Sequence, residues 1–422
     1  MISIRKLRKE KDAFKDKLKL KNDKTDLDNV LYLDKKLRDL KTKSNEMRAE
    51  RNNASESIGE AKKVGKDVKF AVEKTRELGE QLKKLERDLN QLQIQLNTLL
   101  FKIPNPPDTS VPEGMDQSNN EEIRSWGGKP EFSFTPKTHL DLGDSLELFD
   151  FQRGAKISGS GFPLYTGQGA KLERALINSM INHHEVSYGF KELFPPVLMK
   201  KISMQTTGQL PKFEDDMYHT EIDNLYLAPT AEVPVTNIHR DEIIDESDLP
   251  INYVAYSPCF RRESGSYGKE TRGLLRVHQF NKVELVKFTT PSTSYDELEI
   301  LTLQAESVLQ NLGLHYRVIE LCTGDLSFAA AKCYDIEVWA PGEQKWLEVS
   351  SCSNFESFQA RRGNIRYRRS IDNKVELLHT LNGSGVATPR LMVALIETYQ
   401  TENGQIVFPK NVVEFLGIKE LK

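Results

Sequence analysis

Cysteine is scarce in this 422-residue sequence, and long apolar runs are missing from it. The cysteines stand alone, without a CxxC pair, at Cys259, Cys322, Cys333 and Cys352. This pattern excludes a zinc knuckle and a disulfide framework. No segment approaches the roughly 18 apolar residues that would span a bilayer. The first residues are charged from Arg5 onward and contain no signal-peptide core. We therefore expect a soluble protein in a reducing cytoplasm.

Charge is divided unevenly along the chain. Hydrophobic residues make up 38% and charged residues 29%, which is typical of a protein with a real core. Residues 1–100 contain 26 Lys or Arg and 18 Asp or Glu, a net charge of +8, whereas the other 322 residues carry −11. A basic appendage on an acidic body predicts contact with a polyanion. Simple solvation of a helical surface is the alternative.

Two segments near the start repeat their inward positions at alternating spacings of three and four residues, as coiled-coil helices do. The first seam contains Val30, Leu33, Leu37, Leu40, Ser44, Met47, Arg51, Ala54 and Ile58, and the second contains Ala71, Thr75, Leu78, Leu82, Leu85, Leu89, Leu92, Leu96 and Leu99. Gly59 and Gly65 lie between them and favour a chain reversal. The sequence therefore predicts an antiparallel helical hairpin on the order of 50 Å long. A coiled coil that dimerises the protein is the alternative.

The helical pattern stops at Leu100, and a proline-rich segment with Pro104, Pro106, Pro107 and Pro112 follows. Proline ends a helix and stiffens an extended chain. From Pro136 onward, strand-like and helix-like segments alternate, as in an α+β domain built on an antiparallel sheet. We predict an arm over residues 1–101, a linker over 102–115 and an α+β domain over 116–422.

Residues 259–284 contain an unusual density of arginine around a glycine-containing loop. They read as one strand, a hairpin turn between Gly265 and Gly273 wide enough to touch a large ligand, and a second strand that ends in Glu284. Guanidinium groups suit phosphate oxygens because they offer paired donors and keep their charge. The alternative is a charged surface hairpin.

Three further segments carry groups with ligand-binding chemistry. Thr230-Ala231-Glu232 pairs a hydroxyl with a carboxylate, which suits an ammonium group. Acids and hydroxyls at Asp335, Glu337, Glu348 and Ser351 form an oxygen-only set, which suits Mg²⁺. A glycine-rich strand around residues 381–385 leads into a helix at Pro389, so that Arg390 would face a phosphate. Ordinary turns and solvated strand acids are the alternatives.

The arginine-rich segment and the Pro389-Arg390 helix start resemble motifs 2 and 3 of the class II aminoacyl-tRNA synthetases. Three segments resemble the seryl family in particular. They are residues 259–284, by their length and sequence, the tripeptide Thr230-Ala231-Glu232, and the sequence Phe358-Gln359-Ala360-Arg361-Arg362. We identify motif 1 with residues 170–196. Pro389 departs from the class pattern, which often has glycine before the arginine. Since extra zinc ligands, a large insertion and a long basic tail are missing, the chain is similar to the bacterial type.

The resemblance implies an α+β fold, in which an N-terminal antiparallel coiled-coil arm that binds tRNA precedes a class II catalytic domain with an antiparallel sheet. It implies a homodimer that ligates L-serine to tRNA(Ser), with ATP and Mg²⁺, through a seryl-adenylate. It further implies serylation of a selenocysteine tRNA where one is present, although the sequence does not determine whether this tRNA is a substrate. The selectivity for serine would come from a buried hydroxyl acceptor, without an editing domain.

The resemblance also assigns roles to individual residues. Arg261, on the α-phosphate, and Arg390 are the implied catalytic residues. The implied ATP site consists of Arg261, Arg262, Glu263 on the adenine amino group, Arg276, Phe280 stacked on the base, Glu348, Val349, Ser350, Ser351 and Arg390. Glu348 and Ser351 are the implied Mg²⁺ ligands. The implied serine site consists of Thr230, Ala231, Glu232, Glu284, Asn382 and Ser384.

Two rival functions remain compatible with these residues. One is an amino acid:carrier-protein ligase, which would form an adenylate but would not charge tRNA. The other is a coiled-coil tether whose globular part only binds a ligand. Charging of tRNA separates the first rival, and serine-dependent ATP–pyrophosphate exchange separates the second.

Overall fold

In a computed structural model of the chain, residues 1–264 and 272–422 are described, so most of the predicted turn between Gly265 and Gly273 lies outside the described residues. The chain divides into two compact units. The arm unit comprises Ile2–Asp16 and Asp23–Ile103, and the sheet unit comprises Met1, Lys17–Asn22 and Pro104–Lys422.

The arm is a pair of long helices preceded by two short ones. These helices are α1 (Ile4–Lys9), α2 (Lys11–Leu20), α3 (Leu27–Lys63) and α4 (Lys69–Lys102). Lys41 Nζ lies 3.1 Å from Gln93 Oε1, and Arg48 lies 2.7 Å from Glu86. Residues with higher numbers in α3 contact residues with lower numbers in α4, so the two helices are antiparallel. The predicted hairpin is confirmed.

The turn of the hairpin is shorter than the positions of Gly59 and Gly65 indicated. Helix α3 continues through Gly59 to Lys63, and the reversal occupies residues 64–68. Gly65 adopts a φ of +73°, a left-handed conformation that glycine tolerates best. Buried leucines of α4 follow the predicted seam, except that Leu100 is buried at its end and Leu99 is only half-buried.

An eight-stranded sheet forms the centre of the sheet unit. The strands of this unit are β1 (Glu121–Trp126), β2 (Lys191–Leu193), β3 (Leu198–Lys200), β4 (Leu225–Leu227), β5 (Ile243–Asp245), β6 (Ile251–Phe260), β7 (Gln279–Thr289), β8 (Tyr316–Glu320), β9 (Lys332–Ala340), β10 (Lys345–Asn354), β11 (Arg366–Arg368), β12 (Val375–Leu377), β13 (His379–Ala387), β14 (Ile406–Val407) and β15 (Glu420–Leu421). The order in the large sheet is β1-β8-β9-β10-β13-β7-β6-β2. All its neighbouring strands are antiparallel except β2 and β6.

Helices cover the sheet. The helices of this unit are α5 (His139–Ser145), α6 (Phe151–Ser158), α7 (Gly167–Tyr188), α8 (Lys201–Thr207), α9 (Glu232–Thr236), α10 (Ser294–Asn311), α11 (Phe358–Gly363), α12 (Thr388–Thr398) and α13 (Lys410–Leu416). Leucines of α7, α10 and α12 pack in one apolar core with Val283 and Leu285 of β7. Val286 and Phe288 pack with α9 and α11 in a second cluster. Successive side chains of a strand point to opposite faces, so Lys282 and Glu284 face away from the large core.

The motif 2 strands differ from the prediction in two respects. Strand β6 ends at Phe260, so Arg261 and Arg262 follow the strand instead of lying on it. Strand β7 continues to Thr289, so Glu284 lies in its middle and not at its end. The reason is that residues 285–288 remain paired with both β6 and β13, and Thr289 with β13, which extends the ladder.

The proline-rich segment is bound along the rest of the sheet unit. The backbone N–H of Asn105 donates to Phe328 O, and its side-chain amide donates to Ala329 O and Phe355 O at 2.9–3.0 Å. Asp108 donates its backbone N–H to Ala331 O. The segment predicted as a linker is therefore held by hydrogen bonds. Among the described residues no helix combines the length and apolarity needed to cross a membrane.

Candidate active site

A cavity of about 420 Å³ opens on the face of the sheet away from the large core. Strands β7, β10 and β13 supply its floor, and the loops after α8, after β4, after β6 and before β9 supply its walls. Most of the residues that the sequence singled out line it: Thr230, Glu232, Arg261, Glu263, Arg276, Phe280, Glu348, Val349, Ser350, Ser351, Asn382, Ser384 and Arg390. Residues spread over 160 positions of sequence are thus brought to one concave surface.

Three of the residues with an implied ATP-binding or serine-binding role are not among those lining the cavity. Glu284 and Ala231 are fully buried behind it. Arg262 is exposed, and its guanidinium lies 5.7 Å from the centre of the Tyr218 ring. The ATP-binding role assigned to Arg262 stays a prediction.

Glu284 is the centre of a buried polar group in the floor of the cavity. Its carboxylate lies 2.6 Å from Lys282 Nζ and accepts hydrogen bonds from Asn382 Nδ2 at 3.0 Å and Ser384 Oγ at 3.4 Å. Strand pairing produces this arrangement, because Glu284 stands directly opposite Ser384. Lys282 and Glu284 share a strand face through the two-residue period. The buried charge is therefore compensated within the sheet.

Glu232 begins α9 and faces the same cavity from above β7. Its carboxylate accepts a hydrogen bond from Gln359 Nε2 at 2.6 Å, and Thr380 fixes that amide by donating to Gln359 Oε1. Burial and the neighbouring Glu284 charge raise the pKa of Glu232 to about 7. Thr230 Oγ1 accepts the backbone N–H of Glu232 at 3.2 Å, which fixes the start of the helix. A cationic ligand would relieve this energetically costly negative charge.

Arginines surround the other half of the cavity. The Arg261 guanidinium lies 5.2 Å from the centre of the Phe280 ring and donates to Pro229 O. Arg276 pairs with Glu263 at 2.7 Å. Arg390, in the first turn of α12, donates to Leu275 O at 3.0 Å and to Glu348 O at 2.9 Å. The half with Arg261, Arg276 and Arg390 is suited to an anion.

Oxygen donors lie beside these arginines. A bulge in β10 between Glu348 and Ser350 shifts its register against β9. Burial and the nearby Glu348 carboxylate raise the pKa of Asp335 well above its usual range. Glu337, which the alternation grouped with Asp335, instead pairs with Arg317 at 2.7 Å. Glu348, Ser351 and Asp335 therefore form the oxygen-rich corner.

Sequence reasoning missed several residues of the site. Lys282 was detectable, since it lies two positions before Glu284 on a strand. Gln359 was singled out only as part of a segment that resembles the family, and its contact with Glu232 joins residues 127 positions apart in the sequence. The aromatic walls Phe213 and Phe328 come from irregular segments whose sequence carries no signal for a cavity.

Comparisons with known proteins agree with this architecture. Residues 1–107 match the family model of the seryl-tRNA synthetase N-terminal domain, and residues 212–399 match that of the class II tRNA synthetase core domain (G, H, P, S and T). Serine–tRNA ligases of Geobacter sulfurreducens and Geobacillus kaustophilus are 48% and 50% identical to the chain. These alignments cover 99% of both sequences and 100% of both sequences, respectively.

A solved structure is similar over the same length. The seryl-tRNA synthetase of Pyrococcus horikoshii, complexed with ATP, superimposes with a TM-score of 0.90 at 36% identity, covering 100% of this chain and 99% of that one. The two family models, the full-length relatives and the similar solved structure all indicate the same family. The chain belongs to the seryl-tRNA synthetase family.

Proposed function

We propose that the chain activates L-serine with ATP and transfers the seryl group to tRNA(Ser). The observation that carries this proposal is the polarity of the cavity, with buried carboxylates in one half and three arginines in the other. The first half suits an amino acid and the second a nucleotide polyphosphate. Serine bound in the first half would place its carboxylate beside the α-phosphate of ATP bound in the second half.

The serine half would recognise both polar ends of the substrate. Glu232 and Thr230 would receive the ammonium group, and the buried position of Glu232 makes that charge pair strong. The Glu284, Asn382 and Ser384 group would receive the hydroxyl, and Ala231 would support the Glu232 turn. Alanine would leave this buried group without its partner, which disfavours it strongly.

The nucleotide half would hold ATP by charge and stacking. Phe280 would stack on the base, Glu263 would accept from the adenine amino group, and Arg261 would bind the α-phosphate. Arg276 and Arg390 would bind the outer phosphates. As the serine carboxylate oxygen bonds to the α-phosphorus, the bond to the bridging oxygen breaks and pyrophosphate leaves. The chain's contribution is orientation and neutralisation of charge at this step.

The oxygen-rich corner fits Mg²⁺. Its donors for the ion are the Glu348 carboxylate and the Ser351 hydroxyl, which are hard oxygen ligands, and burial together with the Glu348 charge raises the pKa of the neighbouring Asp335. Glu348 and Ser351 would hold the ion, with the backbone at Val349 and Ser350 shaping the bulge. When bound, the ion would neutralise charge on the phosphates.

The arm supports tRNA as the acceptor of the seryl group. Residues 1–100 carry a net charge of +8, and the matching N-terminal family model covers residues 1–107. These two observations favour an aminoacyl-tRNA synthetase over a carrier-protein ligase. A selenocysteine tRNA would be a second acceptor only if it presents the same features to the arm. Four buried free thiols are compatible with a reducing cytoplasm.

Two assays test the proposed function. Purified chain should exchange pyrophosphate into ATP when L-serine is present, and should then load serine onto tRNA(Ser). Exchange without charging would support the carrier-protein ligase instead. Failure of both reactions in folded protein would contradict the proposal.

A further inference from the structure

A buried cluster outside the cavity is connected to one of its walls through His139. His139 is fully buried at the start of α5. Its Nδ1 lies 3.1 Å from Glu343 Oε1 and 3.5 Å from Glu397 Oε1. On the other side of the ring, Nε2 lies 3.3 Å from the backbone nitrogen of Leu274. Since a backbone N–H only donates, Nε2 must accept, and the neutral ring then carries its proton on Nδ1, facing the carboxylates.

Glu397 makes this cluster rigid. One carboxylate oxygen accepts the backbone N–H of His139 at 2.7 Å, and the other accepts those of Gly342 at 2.8 Å and Glu343 at 3.1 Å. The ligand atoms of His139, Glu343 and Glu397 lie within 4.8 Å of one another, as in a metal site. Both Glu397 oxygens are already used by backbone donors, so we interpret the cluster as a hydrogen-bonded anchor.

The segment held by His139 approaches the imidazole closely. Gly273 adopts a φ of +61°, and a Cβ built there would lie 2.2 Å from His139 Nε2. Any other side chain would have to push the backbone away from the ring. The hydrogen bond from Leu274 to His139 therefore depends on glycine at position 273.

The two residues after Leu274 connect the anchor to the cavity. Leu275 O accepts the Nε–H of Arg390 at 3.0 Å, and Arg276 pairs with Glu263 at 2.7 Å. Arg390 lies in the first turn of α12 and Glu397 in its last turn. The contacts form a closed ring from α12 through Glu397, His139 and residues 274–275 back to Arg390.

We propose that His139 is a positioning residue for ATP, because it fixes the backbone that orients Arg390 and Arg276 without touching the cavity itself. The proposal rests on the ATP-binding roles proposed above for these two arginines. Loss of the His139 acceptor frees the 274–276 backbone, so both arginines lose their orientation toward the phosphates. Serine, bound in the other half of the cavity, is unaffected.

Two substitutions at His139 distinguish the role of Nε2 from that of Nδ1. In His139→Gln, the amide oxygen reaches the position of Nε2 and can accept from Leu274. In His139→Asn, the side chain reaches only the position of Nδ1 and leaves Leu274 without an acceptor. In serine-dependent ATP–pyrophosphate exchange we expect His139→Asn to raise the KM for ATP about tenfold or more, with an unchanged KM for serine. The KM for ATP of His139→Gln should stay much closer to the wild-type value.

A second substitution perturbs the same contact from the other side. Gly273→Ala should raise the KM for ATP as His139→Asn does. Gly417→Ala is the matched control, since Gly417 has a φ of +67° and open space around its Cβ position, so it carries the same backbone strain without the contact. Gly273→Ala decides the question if His139→Asn fails to fold. Thermal unfolding of each variant reports stability separately.

The outcomes distinguish this inference from the proposed function. If His139→Asn and Gly273→Ala both keep the wild-type KM for ATP while Arg390→Ala loses exchange, the positioning role is wrong and the role of Arg390 stands. Equal effects of His139→Asn and His139→Gln on stability and kcat, with no change in the KM for ATP, would also overturn it. If Arg390→Ala and Arg276→Ala both keep full exchange, the proposed ATP roles themselves are wrong.

Discussion

At the scale of single residues, the floor of the cavity combines a buried charge with two neutral hydrogen-bond donors. Glu284 is paired with Lys282 at 2.6 Å and accepts from Asn382 and Ser384. Glu284→Gln keeps the size of the side chain but removes its charge. We expect this change to raise the KM for serine at least tenfold, because a hydrogen bond to a charged group is worth about 1.5–3 kcal/mol. The KM for ATP should stay near its original value.

The matched control is Glu306→Gln. Glu306 is also buried, and it accepts hydrogen bonds from Arg124 at 2.6 Å and Tyr316 at 2.9 Å, outside the cavity. The control should lower the unfolding temperature without changing the KM for serine. Wild-type serine kinetics in Glu284→Gln would show that the hydroxyl is recognised elsewhere.

Glu232 makes serine use dependent on pH. Burial and the Glu284 charge raise the pKa of Glu232 to about 7 in the free site, and an ammonium ligand needs the ionised form. As the pH falls below about 7, kcat/KM for serine should decline, approaching tenfold per pH unit. Exchange measured from pH 5.5 to 8 at saturating ATP checks this. A flat profile through pH 6 would contradict it.

The same raised pKa acts on stability with a defined sign. The folded state holds the Glu232 proton more tightly than the unfolded state does. Its contribution to stability is therefore fully present below the unfolded pKa and is lost as the pH rises through about 7. Serine binding should oppose this loss, because its ammonium group compensates the Glu232 charge.

At the scale of elements, the helical arm was predictable because its seam is local. Leucine spacing determines which face of each helix is buried, and a short turn leaves few ways to pair two legs of similar length. The strands around the cavity were harder. Glu284 was predicted at a strand end, but β7 continues because β13, almost 100 residues later, pairs with it throughout. A single sequence contains no signal for that pairing.

The candidate site shows the same division. Residues within one motif, such as Thr230 and Glu232 or Pro389 and Arg390, could be singled out because each motif resembles one of the family, and the structure places them on the cavity. Contacts between distant positions, such as Gln359 with Glu232 or His139 with Leu274, depend on the tertiary fold. The polar residues were therefore found more completely than their partners.

The register of α3 and α4 allows the arm to be shortened without disturbing its packing. Contacts at Lys41 with Gln93 and Arg48 with Glu86 pair positions whose numbers sum to 134. Removing residues 49–85 and closing the gap with a short glycine turn removes the tip in register. We expect full serine-dependent exchange and loss of tRNA(Ser) charging, because the proposed tRNA contacts of the arm would be lost while no residue of the cavity is removed.

Complete deletion of residues 27–99 should give the same separation of exchange from charging. Binding of tRNA to the intact chain should also weaken steeply with salt through counterion release. Efficient charging by either shortened protein would show that the arm is not required for tRNA. A monomeric armless protein would identify the hairpin as a dimerisation device.

At the scale of the whole molecule, large apolar side chains are exposed just before and just after the edge strand β2 in the sequence. Val186, Tyr188 and Phe194 are exposed by 86%, 37% and 82% within one short segment. Large exposed apolar side chains at a sheet edge are typical of an interface. If the chain forms the homodimer that the family resemblance implies, Phe194→Asp should yield monomers in analytical ultracentrifugation.

Phe70→Asp is the control for that substitution. Phe70 has nearly the same exposure, 83%, but lies on arm helix α4. It should leave the sedimentation coefficient unchanged. Dimers that survive Phe194→Asp, together with Val186→Asp, would place the interface elsewhere.

Asn105 determines where the arm can safely be separated from the rest. The N-terminal family model extends to residue 107, but the arm unit ends at Ile103. Between these two boundaries, Asn105 donates three hydrogen bonds to Phe328, Ala329 and Phe355, which all line the cavity. An expression clone that starts at residue 108 would therefore lack a brace of the cavity wall. Its inactivity would be a cloning artefact. A clone that starts at Pro104 would keep Asn105 but would lack Met1 and Lys17–Asn22, which belong to the same unit as the cavity, so only an internal deletion that spares these residues would report on the arm alone.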